Sequence, residues 1–292
     1  MRKIFAVFLV VAGLSPLAFG GGRWQFRISG GPGWISPDDL NVFLRDYVRI
    51  EEAASGSTAR GPGFKTIGIA TNFEADLFIP IEPRIQILAS FGLIQAGTTG
   101  NEFTVTYPAV DETFVRDDKI RDYFGRLGIV YSLPISDFIS LRPYAAGELH
   151  ATTFEETGSW AMVEISGGEK SLGMNWTVAT RALKPGYSAG LEVEIAPVPF
   201  LRLWIDGGYR RAKITGFKGD FHYDWLYPGG GYSDDKTGVP LYYYEFDDSG
   251  TGLIYGTLNT PDVWGGHHLT LVRDAVIDLS GFYLKAGLGI VF

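Results

Sequence analysis

The sequence predicts an all-β protein: an antiparallel up-and-down transmembrane β-barrel of eight strands, with ten or twelve also compatible. Long extracellular loops and one short amphipathic helix in the first loop complete it. Three observations carry this expectation. Eight segments alternate apolar and polar residues with period two, the pattern of strands with one greasy face. Three short proline turns alternate with four long connections, the layout of barrels whose two ends differ. No segment past the leader is apolar for the roughly 18 residues that a spanning helix needs. A chain that crosses lipid without such a helix must close its sheet, because lipid satisfies no open backbone group.

Each element follows from local chemistry. Arg2 and Lys3 precede the apolar run Ile4 to Leu14, and Ala18 and Gly20 then stand at the −3 and −1 positions of a secretory leader. Residues 1–20 are therefore expected to be a signal peptide cleaved near Gly20, and 21–292 the outer-membrane barrel domain. The first strand, Trp24 to Gly31, sets Trp24, Phe26 and Ile28 against Gln25, Arg27 and Ser29. The first loop holds the helix. Ser36 offers a cap, Pro37 suits the first helical position, and Asp38 and Asp39 face the positive end of the dipole. Leu40, Phe43, Leu44 and Tyr47 recur at helical spacing. That apolar face is expected to pack on the barrel rim; the sharper alternatives are a lid over the mouth or a contact with lipid headgroups. Asp39, Asn41, Arg45, Asp46 and Arg49 lie away from it.

The second strand, Thr66 to Ile79, places Ile67, Ile69, Phe73, Leu77 and Ile79 opposite Gly68, Asn72, Glu74 and Asp76. A Pro80–Pro83 turn leads to the third, with Ile85, Ile87, Phe91 and Leu93 opposite Arg84, Gln86 and Ser90. The fourth carries Tyr123, Leu127, Ile129 and Tyr131 against Arg126 and Gly128. After the Pro134–Asp137 turn, the fifth sets Ile139, Leu141, Ala145 and Leu149 against Arg142, Tyr144, Glu148 and His150. The sixth has Ala189, Leu191, Val193 and Ile195 against Glu192 and Glu194. The Ala196–Pro199 turn opens the seventh, with Leu201, Leu203, Ile205 and Tyr209 against Arg202, Trp204, Asp206 and Arg210. The eighth ends the sequence, with Phe282, Leu284, Ala286, Leu288, Ile290 and Phe292 on one face and Lys285 on the other. The stretches 34–65, 95–121, 153–187 and 212–277 are expected to be loops, into which β-rich pieces at 102–107, 161–165, 241–246 and 253–258 extend the strands.

If the apolar face meets lipid, the polar face lines the lumen. Its basic members are Arg27, Arg84, Arg126, Arg142, Arg202, Arg210 and Lys285; its acidic members are Glu74, Asp76, Glu148, Glu192, Glu194 and Asp206. An eight-strand barrel has room inside only for its own side chains. Buried charges left unpaired are very costly, so seven bases facing six acids imply a packed ion-pair network and not an open pore.

Composition bounds the remaining classes. With Cys 0, disulfides, thiol nucleophiles and zinc–thiolate sites are excluded. A net charge of −8 argues against nucleic acid as a partner. No catalytic set stands out. His150 and Thr152 share a strand face, but a Thr matches a lipid hydrolase poorly and Glu148 is the more ordinary partner. His222 and Asp224, with Asp220, Asp234 and Asp235 nearby, fit a solvated loop better than a protease mouth. His267 and His268 are adjacent, which seldom suits one metal ion, and the acids at 234–235 and 247–248 lack calcium-loop spacing. Gly229 to Gly231 precedes no helix and is a turn, not a phosphate cradle. The run Leu241 to Phe246 suits a strand extension better than a recognition surface. No cofactor and no metal is implied.

The terminal strand resembles the assembly signal of bacterial outer-membrane barrels, with Lys285, Gly287, Ile290 and Phe292 in its four defined slots. Together with Leu141-Arg-Pro-Tyr144-Ala-Ala-Gly147 and the Leu203 to Lys213 strand, it makes the chain similar to OmpA-like and opacity-protein-like small barrels, without a peptidoglycan-binding domain. That resemblance implies outer-membrane lipid and the barrel assembly machinery as partners. It also implies a non-enzymatic protein whose surface loops serve binding, adhesion or envelope integrity. The alternative is a narrow conduit for small or apolar solutes gated by the loop helix, and a lipid hydrolase or protease ranks last. Fold alone does not choose among them.

Overall fold

The computed structural model describes residues 23–53, 58–60, 63–165, 170–247, 254–259 and 268–292. The expected leader, 1–20, and His267 lie outside them. Eight strands form the barrel: β1 (Gln25–Trp34), β3 (Ile69–Glu82), β4 (Ile85–Thr106), β5 (Val110–Tyr131), β7 (Ile139–Glu164), β8 (Lys170–Val198), β9 (Leu201–Arg211) and β17 (Gly281–Val291). Each pairs antiparallel with the next, and β17 pairs with β1 to close the ring. The seam extends to the last residue, where Phe292 and Trp24 exchange both backbone hydrogen bonds, at 3.0 and 3.1 Å. Closure leaves the spanning barrel no open edge.

Side chains alternate along the strands between the bulges at Pro80/Glu82, Thr98/Asn101, Met162/Val163 and Ile195/Val198. On β17, Phe282, Leu284, Leu288 and Ile290 are exposed while Tyr283 and Lys285 are buried. Every barrel strand contributes to the outer belt: Ile28, Phe73, Phe91, Leu127, Leu149, Leu191, Ile205 and Leu284 are all exposed, one from each. Tyr123, Tyr187, Tyr209 and Phe282 ring one margin of the belt, and Tyr131, Phe138, Phe200 and Phe292 the other. A continuous apolar band with aromatic margins suits a bilayer and no aqueous surface.

The barrel is lopsided. β1, β3, β9 and β17 have 10, 14, 11 and 11 residues, close to the roughly 9–11 that cross a bilayer. β4, β5, β7 and β8 have 22, 22, 26 and 29 and rise far beyond it as a wall on one side. Much of the sequence expected as loops at 95–121 and 153–187 is therefore strand. The wall holds because its inner face is apolar: Ile94, Phe103, Val105, Phe114, Ile120, Phe154 and Val178 are buried.

The fourth connection is also ordered. β11 (Lys218–Tyr227) and β12 (Gly230–Pro240) form a hairpin on the upper edge of β8. β8 pairs with β11 down to Arg181 and with β9 from Tyr187. Between them lies Pro185, which has no N–H to donate, so the ladder changes partner where a donor is missing. β13 (Tyr242–Asp247) is the centre of a small sheet between β14 (Ile254–Asn259) and β15 (His268–Asp274). The aromatic run lies in it, with Leu241, Tyr243, Tyr244 and Phe246 buried. The short strands β2 (Thr58–Arg60), β6 (Leu133–Pro134), β10 (Lys213–Thr215) and β16 (Val276–Asp278) complete the set.

The helix α1 (Asp38–Ala53) packs against β14, β16 and β2. Leu40 and Leu44 are fully buried, and the Tyr47 ring meets Phe64, Phe103 and Phe114 with centroids 5.3–6.1 Å apart. The helix packs its apolar face on the barrel as expected, against the inner side of the wall above the spanning part. Its other side is occupied too. Asp39 binds Arg273 at 2.5 and 2.6 Å and accepts the Val276 N–H at 2.7 Å, and Asp46 accepts the Gly256 N–H at 3.1 Å. Asn41 brackets Ile67 with two 2.8 Å hydrogen bonds, drawing Ile67 into the core and away from the lipid face.

Candidate functional site

Two interiors lie one above the other in the barrel. Within the apolar belt the lumen is a continuous network of charges. At its short-turn end, Arg142 meets Glu194 at 2.7 Å and Glu194 meets Arg202 at 3.0 Å. Above them, Arg27 joins Asp76 at 2.5 Å and Glu192 at 2.7 Å. The guanidinium groups of Arg27 and Arg142 both lie over Phe78 and Trp204, which stack on each other at 5.4 Å. Lys285 binds Glu74 and reaches Asp206 at 3.0 Å. Arg126 spans Glu74 at 2.5 Å and Glu148 at 2.8 Å, and Arg210 joins Glu148 at 2.9 Å. The Tyr144 and Tyr283 hydroxyls meet beside Asp206.

These pairs bring together the inner-face residues named from sequence, with one correction. Arg84 is exposed in the turn between β3 and β4, because β4 begins only at Ile85. It takes no part in the lumen. Asp122 is an addition: it accepts from Thr152 at 2.7 Å and lies 2.7 Å from His150 Nδ1. Of the residues in the terminal pattern, Ile290 and Phe292 point outward and Lys285 inward. Gly287 lies so close to the backbone of Ile28 that a Cβ there would collide.

The catalytic candidates are spoken for. His150 is buried, with Asp122 on one ring nitrogen and Glu148 on the other, so neither faces a hydroxyl nucleophile. His222 sits on the outer face of the β11–β12 hairpin, 2.6 Å from Asp235 and 2.9 Å from Asp224, with Ser233 on Asp224. Both carboxylates push the His222 imidazole up from its usual range. Among the described residues, no group of His, Asp and Glu is arranged to hold a metal ion.

Above the lumen, outside the membrane-spanning segments, is a cavity of about 420 Å³. Phe43 and Tyr47 of α1 form one side, Trp176 and Val178 of β8 the back, and Phe221, Tyr223 and Trp225 of β11 another side. Tyr232, Asp234 and Lys236 of β12 and Thr257, Leu258 and Asn259 at β14 complete it. Arg116 and Glu156 meet at its wall at 2.9 Å. Arg116 also holds Asp118 at 2.7 Å, and its guanidinium covers the Phe43 ring at 4.2 Å. The Trp176 indole donates to Glu156 at 2.5 Å. It lies across Gly158, where any Cβ would strike the ring. Burial pushes the Glu156 carboxyl up to about 7 against the pull of Arg116. Sequence reading missed Arg116, Asp118 and Glu156. The signal was the continued alternation of Phe114, Arg116, Asp118 and Ile120 through a stretch expected as loop.

Compared with protein families and with curated proteins, the sequence finds no match. Among solved structures, the chain is similar to the outer membrane protein OprG of Pseudomonas aeruginosa, at 12% identity over 94% of this chain and 98% of that one, with a TM-score of 0.39. It is also similar to a major outer membrane protein of Thermus thermophilus, at 14% identity over 92% and 99% of the two chains, with a TM-score of 0.36. The Escherichia coli outer membrane protease OmpT matches at 12% identity over 95% and 99%, with a TM-score of 0.27. Scores this low carry nothing about activity. The barrel is established by the chain's own pairings.

Proposed function

We propose that this is a non-enzymatic outer-membrane barrel that binds a small, largely apolar molecule at the cell surface. The observation that carries the reading is the aromatic cavity set above a lumen filled by its own ion pairs. Concave sites lined by aromatic groups with a few convergent polar ones are the common form of a small-molecule site. The short turns lie in the periplasm and the tall wall outside, as in other barrels of this kind. The leader directs export, the barrel assembly machinery reads Lys285, Gly287, Ile290 and Phe292, and outer-membrane lipid receives the belt. Passage of solutes would require both removal of α1 and parting of the ion pairs, so binding is favoured over a conduit.

Titration of the protein in micelles with benzyl alcohol tests the reading, because Trp176 and Trp225 line the cavity. A saturable change in tryptophan emission is expected, and the cavity-filling Thr257→Phe should abolish it. Identical titrations of both proteins count against the site. Separately, Phe292→Ser is expected to reduce the inserted, heat-modifiable fraction in cell membranes several-fold. Undiminished insertion would remove the assembly signal from the account.

A further inference from the structure

Two cations and two anions line the cavity, and a third carboxylate behind its wall tips the local charge negative, with a consequence for what it holds. Arg116 and Lys236 are the cations at its wall, and Glu156 and Asp234 the anions. Asp118 stands directly behind, shared by the same Arg116. Counting Asp118, three carboxylates stand against two cations. Arg116 is largely committed to carboxylates: Nε and Nη2 are on Asp118, Nη1 is on Glu156, and one guanidinium face is on Phe43. Lys236 is engaged as well. Glu156 and Asp234 both line the cavity beside Tyr223, whose hydroxyl is raised well above its usual range by burial first and by these two charges after it.

The wall carrying this charge is made of π faces. Trp176, Tyr223, Trp225 and Tyr232 come from three adjacent strands, and Trp176 is held against Glu156 by its indole N–H. Aromatic rings backed by carboxylates attract an organic cation through the ring quadrupole and through direct charge, and repel an anion. A neutral apolar molecule would gain the burial but leave the surplus charge uncompensated.

Resting on the reading of the cavity as a ligand site, we propose that its ligand class is an organic cation: an ammonium group carried on an apolar or aromatic body. The ammonium lies between the Trp176 and Tyr223 faces near Glu156, and the apolar body extends toward Phe43 and Leu258.

The test uses the full chain in uncharged maltoside micelles and three probes of similar shape: phenyltrimethylammonium, tert-butylbenzene and benzenesulfonate. Tryptophan emission is followed at pH 8. The ammonium is expected to bind about tenfold or more tighter than the neutral probe, with no measurable binding of the sulfonate. Glu156→Gln should remove most of that preference, while Glu112→Gln, whose carboxylate accepts from Trp160 outside the cavity, should leave it intact. A pH series on the unaltered protein guards against misfolding of the variant. The groups around Glu156 are Arg116 and Asp118 on β5, Trp176 on β8, Tyr223 on β11, and Asp234 and Lys236 on β12. With the Glu156 carboxyl near 7, ammonium affinity should fall as pH drops from 8 to 6 while the neutral probe's stays level. Neutral binding as tight as the ammonium's overturns the cation assignment and leaves the cavity standing. No saturable binding by any probe overturns both.

Discussion

Glu148→Gln is expected to destabilise the folded barrel by about 3–5 kcal/mol, the usual cost of removing one partner from a buried ion pair. Glu148 accepts from Arg126 at 2.8 Å, from Arg210 at 2.9 Å and from Ser188 at 2.7 Å, and lies 3.0 Å from His150. Three strands besides its own thus converge on one carboxylate. After the substitution Arg126 keeps Glu74, but Arg210 is left without a carboxylate, with the Asn72 side chain at 3.2 Å and the Phe124 and Tyr283 rings as its neighbours. Urea midpoints for refolding into micelles measure the effect. Arg210→Met added to Glu148→Gln should recover part of the loss, because it removes the stranded cation. A single-variant change below about 1 kcal/mol would mean that water screens these charges as it does on a surface.

Leu44→Asp is expected to free α1 from the mouth while leaving the barrel intact. Leu44 is fully buried against the apolar inner wall, and an unpaired carboxylate there costs several kcal/mol. The loss falls on the docking of the helix, because no barrel ladder passes through it. Protease sensitivity around 36–68 should rise and cavity binding should disappear, since Phe43 and Tyr47 line the cavity. Heat-modifiability should be unchanged. Conductance should still be absent, because the ion pairs below are untouched. Appearance of regular conductance in Leu44→Asp would make the helix a gate over an open lumen.

The eight strands were legible because one face of each is lipid-facing, and a shift of one residue reverses every side chain. Period two alone placed Lys285, Glu192 and Asp206 on the buried inner face. It failed for Arg84, where alternation was carried one residue past the start of β4. The tall wall was harder to see. Beyond the lipid the outer face turns polar, so Thr104, Thr113 and Glu155 dilute the contrast that marks the spanning parts. The cavity depends on that wall and was hidden with it. The apolar face of α1 was legible, but its polar anchoring was not: Asp39 to Arg273 and Asp46 to Gly256 each join residues more than 200 positions apart, and both acids read locally as a helix face turned away from the apolar stripe.

The most direct test of the closed lumen is single-channel recording of the purified protein in planar bilayers. A closed lumen gives a flat baseline, with no stepwise events attributable to the protein and no change in Leu44→Asp. Regular, voltage-sustained steps from the unaltered protein would contradict it.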